Sequence, residues 1–262
     1  VQEIEIKAFY DLSVEMAIKA GEEILKLFPH IHEISYKGKI NLITEADLKS
    51  EAIIKKIIKT KYPDHTILAE ESGLEKKGDI KWIIDPLDGT TNFAHGLPWF
   101  CTSIALEAEG EIILGVVYEP ILKECFSAIK AKGAFLNKKP IKVSQTKELI
   151  KSLLATGLPY DVQQKPEPVM TRFRQMIMRT RGVRRIGSAA LDLCYVGCGR
   201  FDGFWEERLY PWDTAAGVLI VQEAGGKVSD FSNRLYSIYN KEILASNSLI
   251  HKDMLKVLKA KK

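Results

Sequence analysis

Apolar residues recur every three or four positions near the start of the chain: Phe9, Leu12, Met16, Ala20, Ile24 and Leu27. That spacing predicts a helix with one buried stripe. The polar segment "KGKINLITEAD" reads as a loop. Thr44 at its end can cap a second helix, with Asp47 in the first turn. Ile53, Ile54, Ile57 and Ile58 share one side of that helix, which stops before Pro63. "TILAEES" and "KWIID" then read as short strands ending in acids, with a turn at "EKKGD" between them. From Phe100 to Ser144 the chain alternates around turns such as Glu109-Gly110, which predicts an antiparallel meander. Further on, strands at "SLLAT", "GVRRIG", "FDGFWE", "GKVSD" and "EILAS" alternate with helices near 168–180, 188–198, 212–224 and 248–260. The pattern predicts layered α and β in a single compact fold over 1–262. Its meander-rich first half covers about 1–145, and its alternating α/β second half about 146–262.

Composition narrows the function classes. A chain of 262 residues, 46% hydrophobic and 27% charged, can bury a substantial core. The 38 basic and 34 acidic residues leave a net charge of +4, too small and scattered to make nucleic acid the primary partner. The lysines of "HKDMLKVLKAKK" are expected on the solvated face of a last helix. No apolar run reaches the ~18 residues of a membrane-spanning helix, so no membrane partner is expected. The acid-bearing opening reads as an amphipathic helix, not a signal peptide. Cys101, Cys125, Cys194 and Cys198 form no C-x-x-C pair. Such sparse use suggests a reducing cytoplasm, with Cys194 and Cys198 as packed thiols rather than zinc ligands.

Three acidic stations stand out: Glu70 and Glu71 in "AEES", Asp85 and Asp88 in "WIIDPLDGTTNF", and Asp213 in "PWDTAAG". In the second, Pro86 pushes Asp85 toward extended backbone, so its carboxylate projects from a strand end. The Pro86-Leu87 corner leaves the Leu87 carbonyl outside any ladder. Asp88 follows, then Gly89-Thr90-Thr91 as a helix opening. Two like charges this close raise each other's pKa, and a hard divalent cation such as Mg²⁺ resolves the conflict through oxygen ligands. The free amides at Gly89 and Thr90 suit a phosphate beside that cation. A plain turn with Asp88 as helix cap is the other reading of these residues, and Asp213 likewise reads as a simple cap.

Together, "AEES", "WIIDPLDGTTNF" and "WDTAAGVLIVQEAGG" closely resemble the inositol monophosphatase family of magnesium-dependent, lithium-sensitive phosphatases. The match in order and spacing runs from "NLITEAD" to "EAGG". The resemblance implies an α+β fold, a layered αβαβα sandwich, and a homodimer. It implies two or three Mg²⁺ ions, with Mn²⁺ able to substitute and Li⁺ inhibitory. Glu70, Asp85 and the Leu87 carbonyl would hold one ion; Asp85, Asp88 and Asp213 a second; a weaker third would sit near Glu70. Glu70 and Thr90 would act on the attacking water, with Thr44 and Asp47 behind them. Asp88, Gly89, Thr90, Gly187, Ser188, Ala189 and Glu206 would contact the substrate. Family members often carry Thr at the position of Ser188, so a hydroxyl is kept.

The implied reaction is hydrolysis of inositol monophosphate to inositol and phosphate by a metal-activated water. Fructose-1,6-bisphosphatase activity, alone or dual, and nucleotide 3′-phosphatase activity use the same metal stations, so those stations do not choose among them. Arg184 and Arg185 are either surface charges or the place where a second phosphate is read. The haloacid dehalogenase signature D-x-D-G-T differs by one residue between its acids, which argues against a covalent aspartyl intermediate. A more distant alternative is a non-catalytic regulatory binding protein on this fold, but such a protein would tend to lose the metal carboxylates.

Overall fold

The computed structural model describes residues 3–28, 35–37, 41–159 and 161–259. The opening stripe forms helix α1, Glu3–Leu27, which buries Phe9, Leu12, Met16, Ala20 and Ile24 and leaves Leu27 half-buried. Helix α2, Glu45–Lys61, begins at Thr44. The Thr44 hydroxyl accepts from the Ala46 amide at 3.2 Å, and Asp47 Oδ2 accepts the Thr44 amide at 2.7 Å. The reciprocal pair satisfies amides that the first turn leaves unpaired. The polar segment before it differs from the expected loop. Strand β1, Ser35–Lys37, pairs antiparallel with β2, Asn41–Ile43, while residues 38–40 lie outside the described residues.

The large sheet contains β3 (Thr66–Ala69), β4 (Gly73–Glu75), β5 (Lys81–Asp88), β6 (Cys101–Ala108), β7 (Glu111–Glu119), β8 (Glu124–Ile129), β9 (Gly133–Leu136) and β10 (Lys139–Pro140). Its order is β10-β9-β8-β7-β6-β5-β3-β4. From β6 to β10 it is the expected antiparallel meander; β5 joins it antiparallel to β6, and β3 runs parallel to β5. The three-residue β4 was not legible, being short and only half-buried. Helix α3, Thr90–Ala94, follows β5 directly.

The small sheet contains β11 (Leu153–Thr156), β12 (Gly182–Arg184), β13 (Gly203–Glu207), β14 (Lys227–Ser229) and β15 (Glu242–Ser246), in the order β12-β11-β13-β15-β14. It is mixed: β11 runs parallel to β12 and β13, whereas β13, β15 and β14 pair antiparallel. The expected strand at "GVRRIG" stops at Arg184, and Arg185–Gly187 continue as loop. Its helices are α4 (Val169–Ile177), α5 (Ala189–Gly197), α6 (Pro211–Glu223) and α7 (His251–Lys259).

Side-chain alternation stacks these pieces. Trp82 and Ile84 of β5 pack with Phe9 and Met16 of α1, while Ile83 between them packs with α5 and α6 residues such as Leu193 and Ile220. A strand covered on both faces reads as continuously apolar, as "WII" does. Helix α6 is buried from Thr214 to Val221 because sheets lie on both sides of it. Helices α4 and α7 pack together on the outer face of the small sheet, where Met176, Leu244, Met254 and Leu258 share a cluster. The layers run helix, sheet, helix, sheet, helix: the αβαβα sandwich, in the α+β class.

Helix α7 exposes Lys252, Lys256 and Lys259 as expected, while Ala260, Lys261 and Lys262 lie outside the described residues. At its start His251 is buried, its Nε2 2.9 Å from Ser229 Oγ and its Nδ1 2.8 Å from Ser246 Oγ. Burial, then the nearby Lys227 charge, push its pKa down to about 4. A histidine depressed below its unfolded value of about 6.5 adds stability above that value and loses it as pH falls toward 4. Thermal melts of the wild type and His251→Gln should therefore converge as pH drops from 7 to 4. A difference that stays constant across this range would show that His251 does not titrate on unfolding.

Candidate active site

Two aspartates three positions apart on a regular strand point to opposite faces of the sheet. Here they do not. Asp85 pairs with Ser103 and Asp88 with Cys101, so three steps along β5 match two along β6. Ser103 and Cys101 share a face, and their cross-strand partners share it too. The extra residue is a β-bulge, which re-aims the strand's side chains. The strand therefore does not end at Asp85, as the sequence suggested, but resumes its ladder at Asp88. The Pro86 carbonyl at the bulge accepts the hydroxyls of Ser50, at 2.9 Å, and Thr102, at 3.0 Å. Gly89 follows with φ of 99°, and a Cβ there would fall 2.7 Å from the Trp99 carbonyl oxygen. Only glycine fits that turn.

Other elements bring further acids. Ala69 of β3 pairs with Ile84, and the Glu70 amide still donates to the Ile84 carbonyl at 3.1 Å, which sets Glu70 beside Asp85. Asp213 comes from the first turn of α6, where its Oδ2 accepts the Tyr210 amide at 2.7 Å. Asp88 Oδ2 accepts the Ser188 hydroxyl and the Ala190 amide, each at 2.7 Å. Asp47 is fully buried; its Oδ1 lies 2.9 Å from the Thr90 hydroxyl, which is also 3.0 Å from the Leu87 carbonyl oxygen. One hydroxyl proton serves both acceptors, so Thr90 alternates between them.

The charges repel. Burial, then Glu70, Asp88 and Asp213, push the Asp85 carboxyl well above the usual carboxylate range. Burial raises Asp88 to about 6 against the pull of its hydrogen bonds. Burial and Asp88 raise Asp213 well above its ordinary value. Among the described residues no three acids, histidines or cysteines already close into a cage able to hold a metal ion. Asp88 and Asp213 each give one oxygen to hydrogen-bond donors of the frame, which leaves the other for a cation. The donors available are carboxylates and the Leu87 carbonyl. That all-oxygen set suits a hard divalent cation.

A cavity of about 100 Å³ joins Asp88 and Asp213 to Gly157, Arg185, Asp192 and Glu206. A larger hollow of about 670 Å³, between α1 and β8–β9, is lined by Ile6, Tyr10, Ile129 and Phe135 and has no comparable group of acids. Gly187, Ser188 and Ala189 line the small cavity, and Glu206 reaches it from β13. Burial and Asp88 raise Glu206 to about 8, opposed by the Arg185 guanidinium. Arg184 lies outside the lining: exposed, with Nη1 3.4 Å from the Val183 carbonyl oxygen. The neighbouring Arg185 faces the cavity instead. Sequence reasoning passed over Gly157 and Asp192. The signal for Asp192 was a lone acid in the apolar helix "AALDLCYVG".

The family model for the inositol monophosphatase family matches residues 5–261. An inositol-1-monophosphatase of Synechocystis sp. is 46% identical over 259 residues, 98% of this chain and 90% of that protein. The Nus factor SuhB of Escherichia coli is 43% identical over 250 residues, 94% of this chain and 93% of its own length. The solved structure of an inositol monophosphatase from Anabaena (Nostoc) sp. superposes with a TM-score of 0.89 at 42% identity, covering 97% of this chain and 96% of that one. The chain belongs to the inositol monophosphatase family of phosphatases.

Proposed function

We propose that this enzyme hydrolyses inositol monophosphate to inositol and phosphate with Mg²⁺ at the acidic cluster. The observation that carries the proposal is that Glu70 stands beside Asp85 through the β3–β5 ladder, the bulge turns Asp88 to the same face, and Asp213 reaches them from α6, with all three raising the Asp85 carboxyl. Glu70, Asp85 and the Leu87 carbonyl would hold one ion, and Asp85, Asp88 and Asp213 another, with a weaker site beside Glu70. Bound divalent cations neutralise phosphate charge and lower the pKa of water, which is the chemistry the reaction needs.

The chain's own groups do the rest. Glu70 and the Thr90 hydroxyl orient the attacking water. Asp47, buried behind Thr90 and raised by burial, is suited to take the proton that Thr90 passes on. Thr44 fixes Asp47 by donating its amide and its hydroxyl to Oδ2, at 2.7 and 2.6 Å. The Gly89 and Thr90 amides stabilise phosphate oxygens. Gly187, Ser188, Ala189 and Glu206 hold the alcohol, which leaves with a proton from water. Arg185 at the cavity favours a second reading, acceptance of fructose 1,6-bisphosphate through its second phosphate. A homodimer, lithium inhibition and a cytoplasmic setting belong to the same proposal; four free thiols support the last.

Phosphate release should be measured with Mg²⁺ on inositol 1-phosphate, fructose 1,6-bisphosphate and adenosine 3′,5′-bisphosphate, each with and without Li⁺. Selective, lithium-sensitive hydrolysis of the first is expected; equal turnover of the first two makes the enzyme dual, and preference for the third overturns the substrate. Asp85→Asn should lower kcat by about a thousandfold or more with an unchanged circular dichroism spectrum, on the scale of losing a charge that stabilises the transition state. Near-normal Mg²⁺-dependent turnover in that variant contradicts the ligand set. Thr90→Ala should lower kcat by roughly a hundredfold, and Thr90→Ser should recover most of it, as for a group that handles a proton. Equal loss in both variants would make Thr90 a packing residue only.

A further inference from the structure

Asp192 has no part in the steps above, yet it stands where an apolar residue would pack without penalty. Its helix is otherwise apolar, and the residue is 1% exposed. Its Oδ1 is buried with no hydrogen-bond partner among the described residues. A buried carboxyl with an unmet oxygen is costly unless something else meets it. Asp192 lines the same cavity as Glu206, so a substrate seated there comes within its reach. Glu206 in turn is held in place. A Cβ on Gly157 would fall 2.0 Å from Glu206 Oε1, so the carboxyl presses on bare backbone after β11. Arg185 lies near enough to both acids to offset their charges. The cavity therefore carries two carboxyl groups from different elements, β13 and α5, held near one guanidinium.

We propose that Asp192 is a further specificity residue of this site, binding a ring hydroxyl of the alcohol beside the one that Glu206 holds. The inference rests on the phosphatase reading above and deepens it: Asp192 becomes a specificity residue of that site. Ring hydroxyls donate to carboxylate oxygens. An alcohol without them leaves both acids unmet, and a site built to bond a hydroxyl rejects an analogue that lacks it.

The test compares inositol 1-phosphate with phenyl phosphate, which has no free hydroxyl, for the wild type, Asp192→Asn and Asp192→Leu. Asp192→Leu should raise KM for inositol 1-phosphate about tenfold or more, the scale of a lost hydrogen bond to a charged group. Its kcat should change far less, and its kcat/KM for phenyl phosphate should stay at the wild-type level. Asp192→Asn, which keeps an acceptor oxygen, should recover most of the loss. Equal loss on both substrates would make Asp192 structural, and no loss on either would remove it from the site; both overturn the proposal. If Asp192→Leu does not fold, the wild type decides with inositol 1-phosphate analogues that each lack one hydroxyl. At least two different deletions should each cost about tenfold; a single sensitive hydroxyl leaves Asp192 without a partner and overturns the proposal. A wild type that hydrolyses phenyl phosphate but no polyol phosphate sinks the substrate reading as well, whereas polyol turnover with unchanged variants sinks this inference alone.

Discussion

One extra residue in one strand sets the chemistry of this molecule. Without the bulge between Asp85 and Asp88, one of the two would face the α1 layer among Phe9, Met16 and Ile84, and the other would face α6. A carboxylate on the apolar side would cost several kcal/mol or stay protonated. The bulge turns both acids to one side, where Glu70 and Asp213 join them. Hydroxyls from Ser50 on α2 and Thr102 on β6 hold the displaced Pro86 carbonyl, so the irregular backbone is anchored from two elements.

That concentration of charge works against folding, and the structure offsets it with groups that also build the frame. Asp47 caps α2 and holds the Thr90 hydroxyl with its other oxygen. Asp213 bonds the Tyr210 amide at the start of α6 and presents its charge to Asp88. Ser188 caps α5, accepting from the Leu191 amide, and donates to Asp88. Helix starts are where amides lack partners and negative charge is tolerated best. Each of these side chains therefore serves a helix terminus and the acidic cluster at once.

Much of this was legible in the chain. The i, i+3, i+4 stripe of α1 is open to reading because that helix buries one face, whereas the meander from Phe100 to Ser144, covered on both faces along β6, is marked by its turns, such as Glu109-Gly110. The acidic stations were legible as motifs, since Pro86 and Gly89 restrict the backbone around them. The bulge was not: "DPLD" offers polar residues at both acids and no alternation to reveal a change of face. Strand β4 and the β1–β2 pair are three residues each, too short for a period. Helix α5 lies in the middle layer and is apolar but for Asp192, so the acid is the one mark of a site on that helix, visible in the sequence but without a motif to say what it meets. Between Arg184 and Arg185 the sequence offered no choice, because the chain leaves its strand between them.

The claim beneath all of this is that Asp85 and Asp88, turned to one face by the bulge, bind divalent cations together with Glu70 and Asp213 from neighbouring elements. Anomalous diffraction from crystals soaked in Mn²⁺ tests it directly. Strong peaks bonded to Asp85 together with Asp88, Asp213 and Glu70 oxygens are the predicted result. A difference map with no peak among these four side chains at saturating Mn²⁺ would contradict it.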